Sequence, residues 1–89
     1  MSEEAIKQID KIRAQIDELD RTIVEQLNKR GTLSLDIRRV KEENKLPLYD
    51  PGREEEIFKN VTTVNDGPLY DDDLRGVFEA ILRAMKSLD

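Results

Sequence analysis

Residues 9–40 read IDKIRAQIDELDRTIVEQLNKRGTLSLDIRRV, and the fold depends on how that stretch is read. Counted in sevens, one register is Ile9, Ile16, Ile23, Arg30, Ile37. The other is Ile12, Leu19, Gln26, Leu33, Val40. This repeat is a heptad seam along one side of an α-helix, and it does not fit the two-residue alternation of a strand. Working outward, residues 3 to about 43 contain no Pro and a single Gly, Gly31, so the spacing predicts one very long helix over about 3–43. Such a helix is roughly 60 Å long at about 1.5 Å per residue. The rest of the chain is too short to cover it. A second copy, most simply in a symmetric dimer, would supply the missing cover.

The long helix should end near Asn44, because Pro47 biases Leu46 away from helical geometry. Asp50 then reads as an N-cap and Pro51 as the first position of a second helix, which should run to Val64. Ile57, Phe58, Val61 and Val64 fall on its apolar side. Gly67 is expected to take the left-handed position that closes this helix, and Pro68 cannot continue it. A third helix should start near Asp71, whose side chain can cap, with Asp72 and Asp73 matched to the positive end of its dipole. Leu74, Val77, Phe78, Ile81, Leu82, Met85 and Leu88 follow the helical period. The expectation is an all-α domain over residues 1–89, with three helices and neither strand, repeat nor linker.

Composition removes several chemistries. The 89 residues include 20 acidic and 15 basic side chains, for a formal net charge of −5. Hydrophobic residues make up 37 % and charged residues 39 %, which is charge-rich for a lone globule and suits wet helix faces or a core shared between chains. There is no Cys, hence no disulfide, thiolate nucleophile or zinc-thiolate site. There is no His, so the commonest general base and metal ligand is missing. The glycines do not form a phosphate-cradling loop. No apolar run approaches the roughly 18 residues a membrane span needs. The negative net charge argues against a general nucleic-acid binder. The acidic start, Met1-Ser2-Glu3-Glu4, does not read as a secretory signal, and with the lack of Cys it agrees with a cytoplasmic setting. The run Asp71-Asp72-Asp73 reads as a helix start, and no metal or cofactor is expected.

The informative residues break the apolar pattern. Arg30 falls on the seam between Ile23 and Ile37. A guanidinium there needs a negative partner, which is either a structural ion pair or the anionic group of a ligand; alternatively the side chain snorkels out. Gln26, one turn earlier, fits a polar residue that fixes register. Arg13 and Lys41 flank the seam, where cations commonly make interhelical salt bridges. With Arg30 they form a row of cations along one apolar stripe. Arg13 and Arg30 are 17 residues apart, roughly 25 Å along one helix. One small ligand could meet both only if they came from two antiparallel chains. Arg53 lies in the first turn of the second helix, where the dipole disfavours a cation. Glu54, Glu55 and Glu56 suit that end as a solvated face.

Taken together, these residues resemble the all-helical (AroQ-type) chorismate mutase family. The matching pieces are Ile12-Arg13-Ala14-Gln15-Ile16-Asp17-Glu18-Leu19-Asp20, Leu27-Asn28-Lys29-Arg30 and Val40-Lys41. They continue with Pro47-Leu48-Tyr49-Asp50-Pro51-Gly52-Arg53-Glu54 and Asn65-Asp66-Gly67-Pro68-Leu69. The Tyr-Asp-Pro and Asn-Asp-Gly-Pro-Leu pieces look most like mutase domains fused to bacterial deoxy-arabino-heptulosonate-phosphate synthases, which open the shikimate pathway.

The resemblance implies an intertwined homodimer whose helices pair across subunits, with active sites that mix residues of both chains. It implies the rearrangement of chorismate to prephenate, in phenylalanine and tyrosine biosynthesis. On this likeness Arg13 reaches into the partner's site, Arg30 and Arg53 bind the substrate carboxylates, and Lys41 donates to the ether oxygen. Asp50 offers its backbone amide, and Glu54 its carboxylate, to the ring hydroxyl. Two positions depart from the family pattern. Met85 stands where a small polar residue is usual. Asp89 stands where a Gln or Glu donates to the ether oxygen, and an ionised Asp cannot donate. Met85 also reads simply as an apolar-face residue. The alternative function is a regulatory module that binds prephenate or chorismate and signals to a fused or docked synthase, with weak turnover of its own.

Overall fold

Ser2 starts the long helix. Its hydroxyl accepts the Ala5 N–H at 3.1 Å and its carbonyl accepts the Ile6 N–H at 3.1 Å, so the first turn does not leave all its donors bare. The computed structural model describes residues 2–89. Among them the chain forms α1 (Glu3–Glu43), α2 (Arg53–Thr63) and α3 (Asp71–Lys86), with no strand. The all-α expectation and the predicted span of the long helix therefore hold.

Backbone geometry stops α1 before Pro47 is reached. Lys45 takes a left-handed φ of 56°. Its N–H bonds the Glu42 carbonyl at 3.3 Å, and the Leu46 N–H bonds the Lys41 carbonyl at 2.8 Å. This pair of reversed bonds is a Schellman closure, which satisfies carbonyls that the last helical turn leaves open.

The chain divides into two compact units, one ending at Arg30 and the other Gly31–Asp89. The first unit is helix alone. Its seam residues Ile12, Ile16, Leu19 and Ile23 are between 50 and 63 % exposed. The uncovered apolar stripe inferred from the heptads is thus present on the single chain.

The second unit holds the small core. Ile57, Phe58 and Leu82 are buried, with Val61 and Phe78 packed against them. The Arg75 guanidinium lies 4.2 Å from the Phe58 ring centroid and bonds Glu55 at 2.8 Å, so one cation joins α2 to α3 by its face and its edge. Gly31 on α1 is buried. A Cβ built there would sit 3.2 Å from the Leu88 Cδ1 and 3.8 Å from the Met85 Sδ, so the missing side chain lets α1 meet the end of α3.

Several boundaries differ from expectation. Asp50 does not cap α2, and Pro51 is not its first residue; the helix starts two positions later, with Gly52 as its N-cap. The Arg53 N–H bonds the Asp50 carbonyl at 3.2 Å, and Gly52 has φ 92° and ψ −15°. Pro followed by a positive-φ Gly suits a type II turn, and that turn takes precedence over the helix start. At the other end Val64 is the C-cap and is 80 % exposed, so it does not join the apolar side. Gly67 does have a positive φ of 78°, but it lies in the following loop and does not close α2. It precedes a cis Gly67–Pro68 peptide. Asn65 organises this loop: its Nδ2 donates to the Leu69 carbonyl and to Asp71 Oδ1, and its Oδ1 accepts the Gly67 N–H. Asp71 is consequently occupied by Asn65 and makes no capping bond; the N-cap of α3 is Tyr70. On α3, Val77 is half exposed and off the packed face, and Leu88 lies beyond the last helical residue.

Candidate active site

Arg13 and Arg30 are carried by the first unit. Arg13 is exposed and Arg30 half-buried. Neither forms an ion pair with a carboxylate among the described residues, where the unit's own pair joins Arg21 to Glu18. The structural ion pair considered for Arg30 therefore has no partner within the described chain. Two guanidiniums border an apolar stripe without a carboxylate. Each can donate to both oxygens of a carboxylate through its planar fork.

The other candidates belong to the second unit. Lys41 is half-buried in the last turn of α1, and its Nζ donates to the Leu48 carbonyl at 3.1 Å. That bond ties the helix to the loop leading into the Asp50 turn. Arg53 opens α2 and is ion-paired with Glu56 one turn on. Glu54 bonds Lys86 on α3 at 3.3 Å. Met85 is half-buried on the face of α3 next to Gly31. Asp89 is exposed beyond the end of α3. No hydrogen bond or ion pair among the described residues joins Lys41, Arg53, Glu54 and Asp89 to one another. The ties reach their neighbours instead: Leu48 for Lys41, Glu56 for Arg53 and Lys86 for Glu54.

These are exposed pairs, and such pairs are worth about 0–1 kcal/mol. An arriving dianion can exchange them at little cost. The chemistry on offer is electrostatic: cations with the carboxylates of Glu54 and Asp89, and neither thiol nor imidazole in the chain. No group of three or more His, Cys, Asp or Glu side chains among the described residues converges as a metal site, and no described helix is long and apolar enough to cross a membrane.

The sequence reading missed Lys86 and Glu56 as competing partners, and Arg38 altogether. Glu56 was legible as the i+3 neighbour of Arg53. Lys86 and Arg38 act across 32 and 50 residues of chain, where no local spacing signals them.

Comparison with known proteins bears on the chain's family. The signature of the family described as "chorismate mutase type II" matches residues 12–89. A curated relative named "bifunctional chorismate mutase/prephenate dehydratase", from Aquifex aeolicus, is 30 % identical over 88 residues; the match covers 94 % of this chain and 24 % of that protein. A protein from Methanocaldococcus jannaschii named "chorismate mutase" is 32 % identical over 56 residues, which cover 63 % of this chain and 57 % of that one. Among solved structures, chorismate mutase (form II) from Thermus thermophilus superposes with a TM-score of 0.86 at 38 % identity, covering 91 % of this chain and 92 % of that one. This chain thus spans about a quarter of the length of the bifunctional relatives it matches. Those relatives carry a dehydratase, which corrects the expectation of a likeness to synthase fusions. With a family signature over nearly the whole sequence and a matching three-helix structure, the chain belongs to the chorismate mutase type II family.

Proposed function

We propose that this chain converts chorismate to prephenate, that residues 1–89 act as one domain, and that it works as a cytoplasmic homodimer. The observation that carries this reading is the row of cations along the apolar stripe of α1. Arg13 and Arg30 have no carboxylate partner among the described residues, and Lys41 is held only by a carbonyl. Family membership supplies the ligand that such a row fits, a small dianion.

The reaction is an intramolecular rearrangement. The ether C–O bond breaks as a new C–C bond forms, with no nucleophile, proton transfer, metal or cofactor required. A chain without Cys or His loses nothing by lacking them. The catalyst must hold a flexible dianion in its reactive geometry, and it must stabilise the charge that gathers on the departing ether oxygen. In this reading Arg30 and Arg53 take the two carboxylates, and Arg53 leaves Glu56 to do so. Arg13 enters from the second copy. Lys41 leaves the Leu48 carbonyl for the ether oxygen. The Asp50 amide and the Glu54 carboxylate meet the ring hydroxyl. Met85 and Asp89 border the substrate from the end of α3. The exposed seam on α1 supports the dimer, because a second copy of the same seam would cover it.

The test is the disappearance of chorismate with purified chain, with the product identified. Prephenate formed by a folded dimer is the expected result. Tight prephenate binding with negligible turnover, or turnover that appears only when a shikimate-pathway synthase is added, would instead favour a regulatory module.

A further inference from the structure

Arg38 is the one cation of α1 whose guanidinium, among the described residues, reaches the end of another helix. It is half-buried. Its Nη1 donates to the Leu88 carbonyl at 2.7 Å and its Nη2 to the Met85 carbonyl at 3.4 Å. The neighbouring Arg39 is spent differently, on Asp36 and Glu43 of its own helix. Two turns before Arg38, on the same face of α1, Gly31 admits the Leu88 and Met85 side chains to close range. Three features thus converge on one spot: a Gly that makes room, an Arg that binds two carbonyls, and the last turn of α3.

The placement is electrostatically favourable, since carbonyls at a helix C-terminus carry partial negative charge; the Met85 carbonyl also accepts the Leu88 N–H at 3.3 Å. Its geometric consequence concerns the next residue. The Leu88 carbonyl and the Asp89 N–H share one rigid peptide plane. A guanidinium fixed on that oxygen also fixes where Asp89 departs from the helix, although Asp89 itself has no side-chain partner among the described residues. The Met85 carbonyl is held by the same fork.

We propose that Arg38 is a positioning residue for the reaction: it holds the last turn of α3 on α1 and so places Asp89, with Met85 beside it, at the edge of the substrate. This rests on the proposed mutase function and on the part given there to Asp89. Arg38 touches neither substrate nor reacting atoms and acts through the Leu88–Asp89 peptide.

The experiment combines turnover with backbone order. In Arg38→Ala, the order parameters of residues 86–89 should fall from the parent value to below about 0.6. In an Asp89→Gln background, where residue 89 carries an N–H donor, Arg38→Ala should lower kcat about tenfold with KM changed less than about twofold, as expected for a misplaced group that still lets substrate bind. Arg38→Lys keeps the positive charge but loses the planar fork, and should lie between the parent and Arg38→Ala. In an Asp89→Ala background the Arg38→Ala loss should shrink to less than about twofold, because the residue it positions is gone. Unchanged order at 86–89 overturns the proposal. So does an equal activity loss in both backgrounds, the mark of a merely structural role. A parent chain with no turnover would sink the proposed function itself, and this role with it; that outcome is distinguished from the others by the parent assay.

Discussion

Arg30 shows how much one side chain can say. Heptad spacing alone marks it as an anomaly, since a cation on an apolar stripe requires an anion. The structure adds that no carboxylate of the described chain supplies one. Asp89 is the opposite case. Its identity was legible, but its placement was not, because the bonds that hold the end of α3 come from Arg38, 50 residues away. Asp89 also makes a sharp prediction. A group that donates to the ether oxygen must carry an N–H or O–H, and an ionised Asp carries neither. Asp89→Gln carries a permanent N–H donor. Turnover should then increase, by about tenfold if one donor near the breaking bond is restored. Unchanged turnover in Asp89→Gln, with the protein folded, would remove residue 89 from the chemistry.

The helices were legible from periodicity, and their ends only in part. The bounds of α1 followed from the heptads and from the lack of Pro, and they agree with the structure. The start of α2 did not, and α3 starts at Asp71 as expected but without the expected cap, because loop chemistry took residues that looked like caps. Pro51 and Gly52 form a turn, and Asn65 captures Asp71. Such contests are decided by backbone angles that a residue list does not contain. The stop of α1 falls on Lys45, a non-Gly residue at positive φ. A left-handed conformation costs an L-residue about 1–2 kcal/mol, and Gly escapes that cost while losing part of it again through unfolded-state entropy. Lys45→Gly should therefore stabilise the fold by about 0.5–1 kcal/mol, roughly 2–8 °C in Tm for a domain of this size. Thermal unfolding followed by circular dichroism reads it directly. A lower Tm would mean that the Lys45 side chain contributes more than its backbone strain costs.

The single chain leaves its longest apolar face in water. Leu33, Ile37 and Val40 are exposed along with the seam residues of the first unit, while the buried core consists of Ile57, Phe58 and Leu82. That imbalance was readable from the sequence as a helix too long for the rest of the chain to cover. What the sequence could not supply was the partner of Lys86 or of Arg38, which lies 32 or 50 residues away along the chain. The central claim is that each site takes Arg13 from one copy and Arg30 from the other. The direct test mixes two inactive variants, Arg13→Ala and Arg30→Ala, refolded together so that the copies exchange. Each mixed dimer then holds one site lacking both arginines and one site with both intact. Random pairing predicts recovery to about one quarter of the parent activity, from two parents that are each nearly inactive. Activity that stays at the average of the two variants after exchange would contradict a site shared between copies.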